Sequence, residues 1–115
     1  LLTLQIAARE SEELVARAVK RLTSEPAEFF GVDAGRLEVG SQADVVLIDP
    51  KALLAYDTDA NRQTVYRDIF EHDQLVNRSD GVVRAVYLAG RQVWDGTDFT
   101  PALGQEKLGH ALTAH

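Results

Sequence analysis

A chain of 115 residues with 45% hydrophobic content is long enough for one domain with a modest core. It falls far short of the roughly 250 residues that an eight-stranded α/β barrel needs. A net charge of −6 argues against a nucleic-acid groove, whose affinity comes largely from phosphate neutralisation by Lys and Arg. No apolar run approaches the roughly 20 residues of a membrane span, and LLTLQIAA lacks the basic flank and cleavage pattern of a signal peptide. The absence of cysteine removes disulfides, thiolate zinc sites and cysteine nucleophiles together, and a cytoplasmic location is expected. The chain has no methionine and starts at Leu1, so a piece of a longer protein, or a processed product, is expected.

Leu1 to Ala8 is apolar with Thr3 and Gln5 interposed, which leaves a strand, a frayed helix and a cut end open. Ser11-Glu12-Glu13 is a helix start, a capping hydroxyl followed by carboxylates suited to the positive end of the dipole. Leu14, Val15, Ala18, Val19 and Leu22 then recur at helical spacing. Ser24-Glu25-Pro26 restarts a helix that Gly31 stops, with Phe29 and Phe30 expected in the core.

Gly35 to Pro50 predicts a turn, a short strand over Leu37–Val39, a second turn, and a strand over Val45–Ile48 buried on both faces. Asp44 reads as a turn carboxylate bonding nearby N–H groups. Between Lys51 and Asn77 the pattern weakens. Tyr56–Asn61 is expected as a surface loop, and Thr64–Phe70 as one or two helical turns with Val65, Ile69 and Phe70 inward. Val82–Val93 predicts a β-hairpin turning at Ala89-Gly90; a left-handed conformation is strained for alanine, so a longer loop that includes Arg91 stays open. Thr100-Pro101 predicts a terminal helix with Leu103, Leu108, Ala111 and Leu112 on one face, weakened by Gly104 and Gly109. The fold class is therefore α+β. Residues 1–31 hold a helix and a following short helix, with Leu1–Ala8 open, 32–99 form a small antiparallel or mixed β-domain with a loop or partly helical insert at 51–77, and 100–115 form a C-terminal helix.

Catalytic signatures are sparse. His72, His110 and His115 are the only histidines, with Asp73 the best neighbouring carboxylate, and no His-x-His or His-Glu-x-x-His pattern occurs. A catalytic zinc takes three protein ligands, so no metal site is expected within these residues. No Gly-x-Ser-x-Gly elbow is present, and GVDAG lacks the lysine and spacing of a phosphate loop. Asp57 with Asp59, and Asp68 with Glu71, read as surface carboxylates ahead of an acid–base pair.

GRLEVGSQADVVLIDP resembles the segment that follows the catalytic barrel in metal-dependent amidohydrolases, where the chain enters a small β-domain. Leu22-Thr23-Ser24-Glu25-Pro26-Ala27 resembles the turn after that family's last barrel helix. Asn77-Arg78-Ser79-Asp80-Gly81-Val82-Val83 followed by VYLAGRQVWDG is similar to the branch that includes N-acyl-D-amino-acid deacylases. The resemblance implies the C-terminal part of such an enzyme, contributing to a composite β-sandwich, with the catalytic barrel and its ligands on polypeptide absent here. It implies zinc in the intact parent, which activates water for hydrolysis of non-peptide amide bonds, N-acyl amino acids being the expected substrates. The chain alone is then expected to be inactive. Its partners are the missing N-terminal barrel and further copies of itself, joined through exposed strand edges. In the intact parent Asn77 and Arg78 would meet a substrate carboxylate. The alternative for the pair is that Arg78 binds Asp80 or Asp73 while Asn77 caps a turn. Two other functions stay open: a free-standing β-sandwich-like interaction module without enzymatic role, and a small enzyme using His72.

Overall fold

The computed structural model describes residues 1–79 and 81–115. Three helices open the chain, α1 (Leu2–Glu10), α2 (Glu12–Leu22) and α3 (Ser24–Phe30), followed by β1 (Val45–Ile48) and α4 (Pro50–Ala55). Strands β2 (Arg62–Arg67), β3 (His72–Asn77), β4 (Val83–Leu88) and β5 (Arg91–Trp94) complete the described elements. The fold class is α+β with antiparallel pairing throughout, and among the described residues no helix is long and apolar enough to cross a membrane.

The helix boundaries follow from their capping groups. Leu1–Ala8, left open above, is helical as part of α1. Ser11 ends that helix with its amide on the Ala7 carbonyl at 3.1 Å. The same residue starts α2, its hydroxyl accepting from the Leu14 amide at 3.2 Å. Gly31 stops α3 in the left-handed conformation, φ 64. Pro50 ends β1 as anticipated and at once begins α4. Asp49 Oδ1 accepts from the Lys51 and Ala52 amides at 2.9 and 3.0 Å. Those amides, led by that of Ala52, hold the Asp49 carboxyl below its ordinary value of 3.8.

A three-stranded sheet, order β1-β4-β5, forms the middle of the β-domain. Val45 lies opposite Tyr87 and Leu47 opposite Ala85, with a register shift between Leu47 and Ile48. The β4–β5 hairpin turns at Ala89-Gly90, φ 48 and 77, as expected. Asp44 relieves the exposed turn by accepting from the Ala89 amide at 2.8 Å, while Gly90 donates to the Ala43 carbonyl at 2.9 Å. β2 and β3 form a separate two-stranded sheet, Arg62 opposite Asn77 and Arg67 opposite His72.

The core is small: Ala7, Ala27, Leu53, Val82, Ala85 and Val93, with Gln5 the buried polar residue. Gln5 Nε2 donates to the Leu53 and Tyr56 carbonyls at 3.0 and 2.6 Å. It thereby gives the Leu53 carbonyl a second partner beside the Tyr56 amide, and satisfies the Tyr56 carbonyl just beyond the end of α4.

Several expectations are corrected. Val45–Ile48 is not buried on both faces; Val46 and Leu47 are about half exposed, because β4 takes the central place and β1 lies at the edge. Leu37–Val39 forms no strand; it enters a turn closed by the Ser41 amide on the Glu38 carbonyl. Phe29 and Phe30 are 83% and 65% exposed rather than core, and they meet each other edge to face. Thr64–Phe70 is not helical. Arg62–Arg67 carries Thr, Val and Tyr in a row and extends as β2, while Ile69 and Phe70 sit exposed at the tip. The expected terminal helix is also absent. Single turns from Thr100 pass through Gly104, φ 83, and close with the Glu106 amide on the Ala102 carbonyl at 3.0 Å; residues 107–115 then run without regular structure until the His115 amide reaches the Gly31 carbonyl at 2.8 Å. Thr100 instead lies along β5, its amide on the Val93 carbonyl at 3.0 Å and its hydroxyl on that of Gln92 at 2.6 Å.

Candidate functional site

The residues singled out for substrate contact sit at the base of the β2–β3 hairpin. Asn77 is the last residue of β3 and is exposed; Arg78 follows it and is half-buried. The Tyr56 hydroxyl is directed at Asn77 Oδ1 and at the Arg78 carbonyl, the latter 2.7 Å away. The Arg78 amide donates to the Asn61 carbonyl at 3.0 Å. Both residues border a groove of about 740 Å³ whose apolar wall comes from the three-stranded sheet and the turn beyond it, including Val86, Trp94, Phe99 and Leu103. Asp98 also lines it. The groove therefore sets a guanidinium-bearing residue, together with the Asp98 carboxylate, against a largely apolar wall, an arrangement with room for a partly apolar molecule.

Of the two alternatives for Arg78, a pair with Asp73 does not form: among the described residues the ion pairs are Arg21–Glu25, Arg36–Glu28, Arg62–Asp59 and Arg91–Glu106. A pair with Asp80 lies outside the described residues. Among the described residues Asn77 caps no turn; it accepts from Tyr56. Tyr56 was not legible as part of this site. It lies in a polar stretch read as surface loop, and the bond it makes spans 21 residues of sequence.

The histidines stay apart from any ligand set. His72 Nδ1 lies 2.9 Å from the Asp73 carbonyl and its ring stacks on Phe70, while His110 and His115 are exposed. No group of three or more His, Cys, Asp or Glu among the described residues could hold a metal ion. A catalytic zinc with three protein ligands does not fit the side chains present.

The carboxylates serve structure. Asp57 Oδ1 accepts from the Asp59 and Ala60 amides at 2.9 and 3.1 Å, and Asp59 pairs with Arg62. Arg91 grips Glu106 through two bonds, 2.9 and 2.7 Å, which lower the Glu106 carboxyl and raise the guanidinium. Asp95 is lowered by the amides of Asp98 and Thr97 in its turn. A downward shift is opposite to what a general acid needs near neutral pH.

Residues 3–94 match the model of the Amidohydrolase family, and the chain belongs to that family. Uncharacterized proteins of Mycobacterium tuberculosis and Mycobacterium bovis are 38% identical to it over 85 residues, 74% of this chain and 14% of theirs. A dihydroorotase of Geobacter metallireducens is 44% identical over 41 residues, 36% of this chain and 10% of its own length. No solved structure matches significantly. The chain thus spans a small part, 14%, of the length of the mycobacterial relatives.

Proposed function

We propose that these residues are the C-terminal structural portion of a metal-dependent amidohydrolase of the N-acyl-amino-acid deacylase branch. The observation that carries the reading is a family helix whose apolar stripe α1 and α3 cover only in part. α2 has no buried residue, and Leu14, Val19 and Leu22 are 38%, 43% and 57% exposed. An amphipathic helix of this length draws most of its stability from packing its apolar face. A barrel on the same polypeptide supplies the missing surface in this reading, and carries the zinc ligands that these residues lack. The small share of the relatives' length that the chain covers agrees with it.

In the intact enzyme Arg78 offers a guanidinium to a substrate carboxylate through two parallel bonds, and Asn77 borders the same groove. The test is hydrolysis of a panel of N-acyl amino acids by a longer polypeptide containing this chain. Substrates with a free carboxylate are expected to turn over. Arg78→Lys should raise KM for them more than it lowers kcat. Failure to cleave any N-acyl amino acid would remove the deacylase assignment, and an Arg78→Lys variant with unchanged KM would remove the carboxylate contact.

By itself the chain leaves the outer edge of β1 unpaired, a template on which another strand can add. It is expected to self-associate through such edges. Light scattering coupled to size exclusion should give a mass above 12.6 kDa that rises with concentration; a constant monomer mass contradicts this.

A further inference from the structure

Among the described residues, the β2–β3 hairpin is an arm with one hydrogen-bonded attachment to the body. Its strands pair only with each other among the described residues. Its remaining backbone and side-chain bonds reach no farther than the lead-in loop, Arg62 to Asp59 and Arg78 to Asn61. Beyond those, the described hydrogen bonds from the body to residues 62–78 come from a single group, the Tyr56 hydroxyl, directed at Asn77 and Arg78.

Tyr56 is itself held. Gln5, from α1 and only 3% exposed, donates to the Tyr56 carbonyl at 2.6 Å and to the Leu53 carbonyl at 3.0 Å. A continuous line of hydrogen bonds thus runs from the buried side of α1, through the end of α4, to the base of the arm. The far end of the arm carries Ile69 and Phe70, 84% and 59% exposed, on a turn where Glu71 takes φ 53. A two-stranded hairpin is marginal in water by itself, so the fixing of its base decides whether the arm has one pose or many.

We infer that the Tyr56 hydroxyl is a latch that holds the β2–β3 arm in a single pose and, through the Arg78 carbonyl, sets the residue that follows Asn77 at the groove. Removing the hydroxyl frees the arm without loosening the three-stranded sheet, whose pairing does not involve it. The same motion carries the apolar tip and Arg78 together, because the tip joins the two strands that the latch secures and Arg78 directly follows β3. The inference does not depend on the deacylase reading.

Tyr56→Phe keeps the ring and deletes the latch. Hydrogen exchange of its amides, compared with the unmodified protein, should show residues 62–67 and 72–77 exchanging about fivefold faster, the ratio that one hydrogen bond of ordinary net strength implies. Amides of β1, β4 and β5 should keep their rates. Asn77→Ala, which leaves the bond to the Arg78 carbonyl, should give the same pattern with a smaller ratio. Unchanged exchange in the arm, or equal acceleration in both sheets, overturns the latch. Should Tyr56→Phe lose its fold altogether, Asn77→Ala decides between the same two patterns.

Discussion

Replacing Val82 by aspartate is expected to abolish the folded three-stranded sheet. Val82 is 2% exposed and is the largest fully buried side chain among the described residues. Its carbonyl accepts from the Asp49 amide at 2.9 Å, so it joins the start of β4 to the cap of α4. An unpaired carboxylate forced into that position costs several kcal/mol even after it neutralises by taking up a proton. Small domains have roughly 5–15 kcal/mol of total stability, and a core built largely of alanine and valine lies towards the lower end. Val82→Ala removes only methyl groups and should leave a folded protein weakened by about 1–3 kcal/mol. Urea unfolding followed by circular dichroism separates the two: a lowered midpoint for alanine, no cooperative transition for aspartate. An aspartate variant unfolding at the parental midpoint would show that the core has been misplaced.

Gly96→Ala has the second largest expected effect, for a different reason. Gly96 has φ +100, and a Cβ built there falls 2.8 Å from the Arg84 carbonyl oxygen. That oxygen belongs to the central strand and cannot swing aside as a side chain would. Gly40 provides the comparison, with φ +96 and no atom within 4 Å of the equivalent Cβ. Alanine at position 40 therefore bears the conformational cost alone, about 1–2 kcal/mol. At position 96 a steric cost of about 1–3 kcal/mol is added. Thermal or urea unfolding of the two variants measures the difference directly. Equal losses at both positions would mean that β4 yields to the intruding methyl group.

The fold was legible in the sequence where the signal is local. Ser11 with two following glutamates starts α2, Pro50 ends β1, and Ala89-Gly90 turns the hairpin, each because one or two residues decide the backbone there. Even so, the relief of Ala89 was not readable, since its partner Asp44 lies 45 residues away. Burial was read less well than backbone shape. Val45-Val46-Leu47-Ile48 presents the same apolar run whether a strand is central or at an edge, and only the placing of β4 between its neighbours assigns it the edge. Val65 and Ile69 stand four apart, the spacing of a helix face, although Thr, Val and Tyr in succession favour the extended chain that forms. Gly104 marked weakness in the last segment, and with φ 83 it interrupts any helix there, leaving single turns that close at Glu106.

The candidate site divides in the same way. Asn77 and Arg78 were legible as polar residues ahead of a hairpin. Their attachment to Tyr56, and the apolar wall that Trp94, Phe99 and Leu103 build beside them, depend on contacts between distant segments. Phe29 and Phe30 were read as core from their residue type, and the α2 stripe has the spacing of a helix face that demands cover. Their exposure here is the physical basis for placing the rest of an amidohydrolase against them.

The central claim is that amide-cleaving chemistry belongs to polypeptide other than these residues. Its most direct test is to purify the chain, supply zinc, and measure both bound metal and hydrolysis of N-acyl amino acids beside a longer polypeptide that contains it. The account predicts no stoichiometric zinc and no turnover for the chain, and both for the longer protein. Stoichiometric zinc held by the chain alone, with amide hydrolysis to match, would contradict it.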